Sequence, residues 1–142
     1  MKPHFLSSFL LVVAVTIAVL GSGTAVAQAT IAASAPEPLT QERFEALQAE
    51  GGVVLVEVSA SWCPTCARQK EILSAYRKAR PGSPVHTLTV DFDTQKEWVR
   101  AFKAPRQSTL ILFKGEEQVW FSVADTDHDR IFAALDEVAA GE

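Results

Sequence analysis

The stretch "VVLVEVSASWCPTC", residues 53–66, narrows the choice of fold more than any other part of the chain. Its first eight residues are valine-rich and nearly all apolar. Such a run suits a central strand covered on both faces. Cys63 and Cys66 follow directly, and the chain has no other cysteine. A helical segment then runs to about Arg80, with Ile72, Leu73 and Tyr76 as its buried stripe. Arg77, Lys78 and Arg80 crowd its last turn, where the helix dipole favours cations, and Pro81-Gly82 stops it. A Cys-x-x-Cys pair set between a strand and a helix is a redox signature.

The flanking segments extend the pattern. Thr40 predicts a helix start, Phe44 and Leu47 its apolar face, and Gly51-Gly52 its end. "VHTLTVDF" (85–92) alternates and predicts a second strand. Trp98, Val99 and Phe102 mark a further helix. "TLILFK" (109–114) and "QVWFSV" (118–123), joined through Gly115-Glu116-Glu117, predict an antiparallel hairpin. One of Asp125, Thr126 and Asp127 caps a last helix carrying Ile131, Leu135 and Val138, which closes at Gly141. The order is α-β-α-β-α-β-β-α. That is an α/β domain with a mixed sheet and helices on both faces.

The 142 residues suffice for one domain with a proper core. Lys2 and His4 precede an apolar run from Phe5 to Leu20, and Ala25-Val26-Ala27 offers a small-x-small cleavage site. Residues 1–27 are therefore expected to be a cleaved secretory signal peptide. The run is shorter than the ~20 residues that usually span a membrane, so an uncleaved anchor is the minor alternative. The leader looks bacterial and points to the periplasm, where disulfides persist. Residues 28–38 are small, polar and proline-containing and predict a flexible tether. The folded domain is expected over 39–142. Loss of the leader removes Lys2, leaving 12 of the 13 bases against 17 acids, a formal charge of −5. That balance excludes a nucleic-acid partner, which needs a basic footprint.

The cysteine spacing carries the chemistry. Cys63 falls at a helix start, where free N–H groups and the positive dipole end favour a thiolate. Cys66 falls one turn inside, within reach and less exposed. Cys63 is thus the candidate nucleophile and Cys66 the resolving thiol. Pro64 sits in the first turn, where a missing N–H costs little. Trp62 is placed to shield the pair on one side. Zinc sites also use Cys-x-x-Cys but need about four ligands. His86 and His128 are the histidines left in the domain, and neither spacing fits a familiar zinc pattern. A structural staple across so short a loop gains little entropy.

The chain resembles the thioredoxin family. The resemblance rests on "VVLVEVSASWCPTC", on "VDFD" (90–93), on "STLILFKGEEQVW" (108–120) and on the final helix, and it covers nearly the whole domain. It implies a thioredoxin-like sheet flanked by helices and a thiol–disulfide oxidoreductase acting on protein disulfides or dithiols. It assigns Glu57, six residues before Cys63, to proton exchange with the resolving thiol. A carboxyl in an apolar strand should indeed have a raised pKa. The lysine that family members place on the neighbouring strand falls at Thr89, so that charge is missing here. The resemblance places a substrate beside Trp62, Pro64, Thr65, Gln107, Ser108 and Thr109.

One position departs from the family. Its cis-proline slot reads Gln107-Ser108-Thr109, and Pro105 lies three residues early. A cis bond before Ser108 would cost about 3 kcal/mol, so trans is expected. The Ser108 hydroxyl can instead donate to the sulfur and favour its thiolate. A loop slipped by three residues, with Pro105 in the functional slot, is the alternative. The open slot also leaves a second function in play, a copper- or zinc-binding module on the same fold. The oxidoreductase reading needs no bound cofactor and no metal. It implies an inner-membrane electron donor if the protein reduces its clients, and a monomer is expected.

Overall fold

The computed structural model describes residues 35–141. The expected signal peptide and most of the tether lie outside the described residues. Among the described residues no helix is long and apolar enough to cross a membrane.

Strand β2 (Val53–Ser59) is the middle of a five-stranded sheet, and every one of its residues is buried. On one side it pairs in parallel with β3 (Val85–Asp91), on the other antiparallel with β4 (Thr109–Lys114). β5 (Glu117–Val123) pairs antiparallel with β4 and forms one edge. The hairpin turn holds Gly115 at φ +57°, a left-handed conformation that glycine adopts without a Cβ clash.

The opposite edge corrects the tether boundary. Glu37–Pro38 form a short strand, β1, parallel to β3, with Glu37 opposite Leu88 and Pro38 opposite Thr89. Leu39 follows as a buried core residue, and its N–H donates to Thr89 O at 2.8 Å. The sheet order is β1-β3-β2-β4-β5. Proline is tolerated here because β1 is an edge strand.

Helix α1 (Gln41–Ala49) starts at Thr40, whose side chain accepts from Arg43 N–H. It ends through Gly51 at φ +70°, and Gly52 N–H donates to Leu47 O at 2.9 Å. A Cβ on Gly52 would stand 2.8 Å from that carbonyl oxygen, so the close return requires glycine. Helix α2 (Pro64–Ala79) leaves the end of β2, and α3 (Lys96–Ala101) follows β3. Helix α4 (His128–Ala140) is capped by Asp127, whose carboxylate accepts from Arg130 N–H, and closes at Gly141 with φ +84°.

Side-chain alternation along β2 divides the core in two. Val54, Val56 and Val58 pack with Phe44, Leu47, Phe102, Ile111 and Phe113. Val53 and Leu55 pack with Ile72, Leu73 and Tyr76 of α2 and with Ile131, Leu135 and Val138 of α4. Each fully buried leucine contributes about 2–3 kcal/mol by leaving water. The second face also carries Glu57 and Ser59, which the same alternation directs toward α2.

Candidate active site

The end of β2 and the start of α2 place the two cysteines. Cys63 is the N-cap of α2, with extended backbone, and its sulfur accepts the Cys66 N–H at 3.2 Å. Pro64 occupies the first helical turn, as its fixed φ and missing N–H allow. Both cysteines are free thiols. Cys63 is 4% exposed and Cys66 1%, so the nucleophile candidate lies shallower than its partner but is more recessed than a helix start implies.

Ser108 joins them. Its hydroxyl oxygen lies 3.1 Å from the Cys63 sulfur and 3.2 Å from the Cys66 sulfur. Among the described residues every peptide bond is trans, and Ser108 sits at φ +64°. The slot therefore holds Ser108 itself. Pro105 is exposed, and the slipped-loop alternative does not hold.

These contacts set the charge on Cys63. Burial disfavours its thiolate. The Cys66 thiol, the Ser108 hydroxyl and the backbone N–H groups of Cys66 and Thr65 donate to it and outweigh burial. The net effect lowers Cys63 from 9.0 to about 7. About half of the sulfur is then ionised at neutral pH.

Glu57 is 1% exposed, and its Oε1 has no hydrogen-bond partner. Burial pushes its pKa up, while Lys70 and Arg77 pull it back. The register puts Thr89 directly opposite Glu57, at the position expected to lack a charge. The strand charge is absent there, as expected, and the positive groups that act on Glu57 belong to α2. Arg77 and Lys70 project from the helix that begins at Cys63, so one element carries both the sulfur and the acid's counter-charges.

The expected substrate-contact residues divide by exposure. Trp62 is 59% exposed, with its indole N–H donating to Asp93 at 2.7 Å. Pro64 is exposed, and Thr65 and Gln107 are half-buried. Ser108 and Thr109 have no exposed surface, and the Thr109 hydroxyl donates to Arg106 O at 2.7 Å. The side chains of Ser108 and Thr109 are thus turned inward, Ser108 toward the sulfurs and Thr109 toward its own loop. Phe92, from the end of β3, packs on Ala60, Cys63 and Cys66.

Sequence reasoning missed Phe92, Asp93 and Gln69. Gln69 lies one turn beyond Cys66 on the buried stripe of α2, a spacing that marks it in retrospect. Other candidates have structural roles. Asp125 receives both ends of the Arg130 guanidinium, at 2.6 and 2.9 Å. His128 is exposed and stacks on Phe132. Among the described residues no group of three or more His, Cys, Asp or Glu could hold a metal ion.

The family model for thioredoxin matches residues 35–137. The chain belongs to the thioredoxin family. It is 31% identical over 97 residues to a thioredoxin of Chlamydia trachomatis, covering 68% of this chain and 92% of that protein. Its fold is similar to the crystal structure of Trxlp from Edwardsiella tarda, with a TM-score of 0.67 and 35% identity. That match spans 71% of this chain and 98% of the other. A thioredoxin mutant from Halobacterium salinarum, 21% identical, shares the fold with a TM-score of 0.62 over 72% of this chain and 88% of its own. As a family member with its two cysteines side by side, the chain is a thiol–disulfide oxidoreductase.

Proposed function

We propose that the protein is a periplasmic reductant of protein disulfides in which Cys63 attacks and Cys66 resolves. The carrying observation is the Cys63 sulfur at the cap of α2, receiving hydrogen bonds that hold its pKa to about 7. The Cys63 thiolate attacks one sulfur of a client disulfide, forming a mixed disulfide and releasing the other as thiolate. The Cys66 thiol gives up its proton and attacks the Cys63 sulfur. An internal disulfide forms, and the second client sulfur leaves. Two protein thiols are oxidised and one client disulfide becomes two thiols. Glu57, whose pKa burial raises, is as a carboxylate a stronger base than an exposed one and is the acceptor for the Cys66 proton.

The modest thiolate stabilisation supports the reducing direction. A strong oxidant of this type needs a thiolate pKa near about 3.5, which makes its reduced form the favoured one. Cys63 at about 7 does not approach that. A reductant in an oxidising compartment needs an inner-membrane donor to regenerate its dithiol. Exposed Trp62 and Pro64 with half-buried Thr65 and Gln107, the chain neighbours of Cys63 and Ser108, serve as the client-contact surface, with one monomer sufficient. Export rests on the leader-like first 27 residues.

The test is insulin reduction together with the potential against glutathione. Cys63→Ser should be inactive, Cys66→Ser should accumulate mixed disulfides, and the potential should lie near about −270 mV. Full insulin reduction by Cys63→Ser would remove the nucleophile assignment. A potential near about −120 mV would reverse the direction.

A further inference from the structure

The loop that replaces the family's proline is expensive, and its expense is specific. Ser108 carries a side chain at φ +64°, where an L-residue other than glycine is disfavoured. Ala124, which donates to Ser108 O at 2.8 Å, is also left-handed at φ +55°. Ser108 N–H donates to Val58 O at 2.8 Å, tying the loop to the central strand. These contacts hold the backbone, and the side chain then points at both sulfurs at almost equal distance.

A second buried group completes the hold. Gln69 is fully buried, and its Nε2 donates to Ser108 O at 3.2 Å and to Asp125 O at 2.9 Å. Two carbonyls face the amide, so its NH2 side must face them. Its Oε1 is left with no partner. An unpaired buried amide oxygen is destabilising, and leucine or methionine would fill this stripe without it. Gln69 spans the loop before β4 and the loop after β5, and it does so one turn below Cys66.

We infer that the Ser108 hydroxyl serves the two sulfurs in turn, and that Gln69 is the positioning residue that keeps it between them. This inference rests on the proposed attack by Cys63 and resolution by Cys66. In the free dithiol, Ser108 donates its single O–H to the Cys63 thiolate. Once Cys63 is bonded to a client sulfur it is neutral and a poor acceptor. The hydroxyl then turns to the Cys66 sulfur, and it stabilises the thiolate left when the Cys66 proton departs. A proline in this slot has no donor to offer either sulfur. Ser108 touches the reacting atoms and is a catalytic residue, whereas Gln69 acts through it.

The test uses the full domain and two readouts. The first is the pH profile of Cys63 alkylation by iodoacetamide in the reduced protein. The second is the rate at which Cys66 expels a small thiol from a mixed disulfide preformed on Cys63. Ser108→Ala should slow alkylation at pH 6 about tenfold, the loss of one charge-assisted hydrogen bond. It should also slow expulsion by a similar factor, and Ser108→Thr should restore much of both. Gln69→Met, which fills the same space, should move both readouts in the same direction by a smaller factor. Gln69→Met combined with Ser108→Ala should add nothing to Ser108→Ala alone. If Gln69→Met does not fold, Gln69→Leu provides the same comparison, since its apolar chain suits the buried stripe and has no donor.

Four results overturn the inference. They are a Ser108→Ala protein with both readouts unchanged, one with only alkylation changed, a Gln69 variant altered only in melting temperature, or additive effects in the double variant. None of these affects the nucleophile assignment. That fails separately, if Cys63→Ser retains activity.

Discussion

The reduced protein should become more stable as pH rises from 6 to 9, and the increment should disappear in Cys63→Ser. The hydrogen bonds around the sulfur lower Cys63 from 9.0 to about 7. That is about a hundredfold in the thiolate-to-thiol ratio, or about 2.7 kcal/mol. Cys63 lies just beneath the surface, and nearby water trims the figure to about 2 kcal/mol. The folded pKa lies below the unfolded one. The contribution is therefore present in full above the unfolded value and is lost as pH falls through about 7. Between these values the unfolded chain retains a proton that the native protein has released, so stability climbs with pH. Urea unfolding of reduced wild type and Cys63→Ser at pH 6, 7, 8 and 9 measures the increment. The difference between the two proteins cancels the other titrating groups. It should widen by about 2 kcal/mol across the series. A difference that stays flat would show that Cys63 releases its proton at the same pH whether folded or not. The donors around the sulfur would then confer no reactivity.

Glu57→Gln should be more stable than wild type at pH 8, with the gain vanishing near pH 4. The raised acid contributes stability in full below its ordinary value of 4.5 and loses it as pH rises through the raised one; urea melts at both pH values check this. The same variant should slow release of client from the mixed disulfide, read by quenched-flow trapping. Leu135→Ala should lower stability by about 3 kcal/mol, because Leu135 is fully buried where α4 seats against the sheet; its thermal midpoint gives the answer. Asp127→Ala should cost about 1 kcal/mol by removing the acceptor for Arg130 N–H. Trp62→Ala should leave stability within about 0.5 kcal/mol, as an exposed side chain does. It should raise KM for a folded protein client while sparing a small disulfide.

The elements with a strong period were legible in the residues. β2 reads as an unbroken apolar run because both its faces are covered, and β4 needed no adjustment at either end. The hairpin followed from Gly115, and α4 from its three apolar residues and its capping aspartate. β1 was hidden because two residues, one a proline, show no alternation; its existence depends on the free edge of β3. Cys63 and Cys66 were legible from spacing alone. The conformation of Ser108 was not, since serine has no preference for positive φ and the contacts to Val58, Ala124 and Gln69 impose it. Gln69 was hidden for a related reason. A polar residue within an apolar stripe reads as an interruption until the loops that its amide joins are in place. The cations that act on Glu57, Lys70 and Arg77, belong to a helix rather than to the next strand, and no spacing in the sequence links them to it.

The position of β2 between two partner strands has a mechanical consequence for the reaction. Cys63 follows β2 after a three-residue turn, and the strand before that turn cannot shift without straining its pairing on both flanks. With the sulfur recessed and the strand beneath it anchored, the other molecule would supply the travel. Disulfides held in stiff, closed surroundings would stay out of range, and those in segments able to extend would be the ones reduced. Selectivity of this kind would sort molecules by their pliancy, with little regard for their side chains.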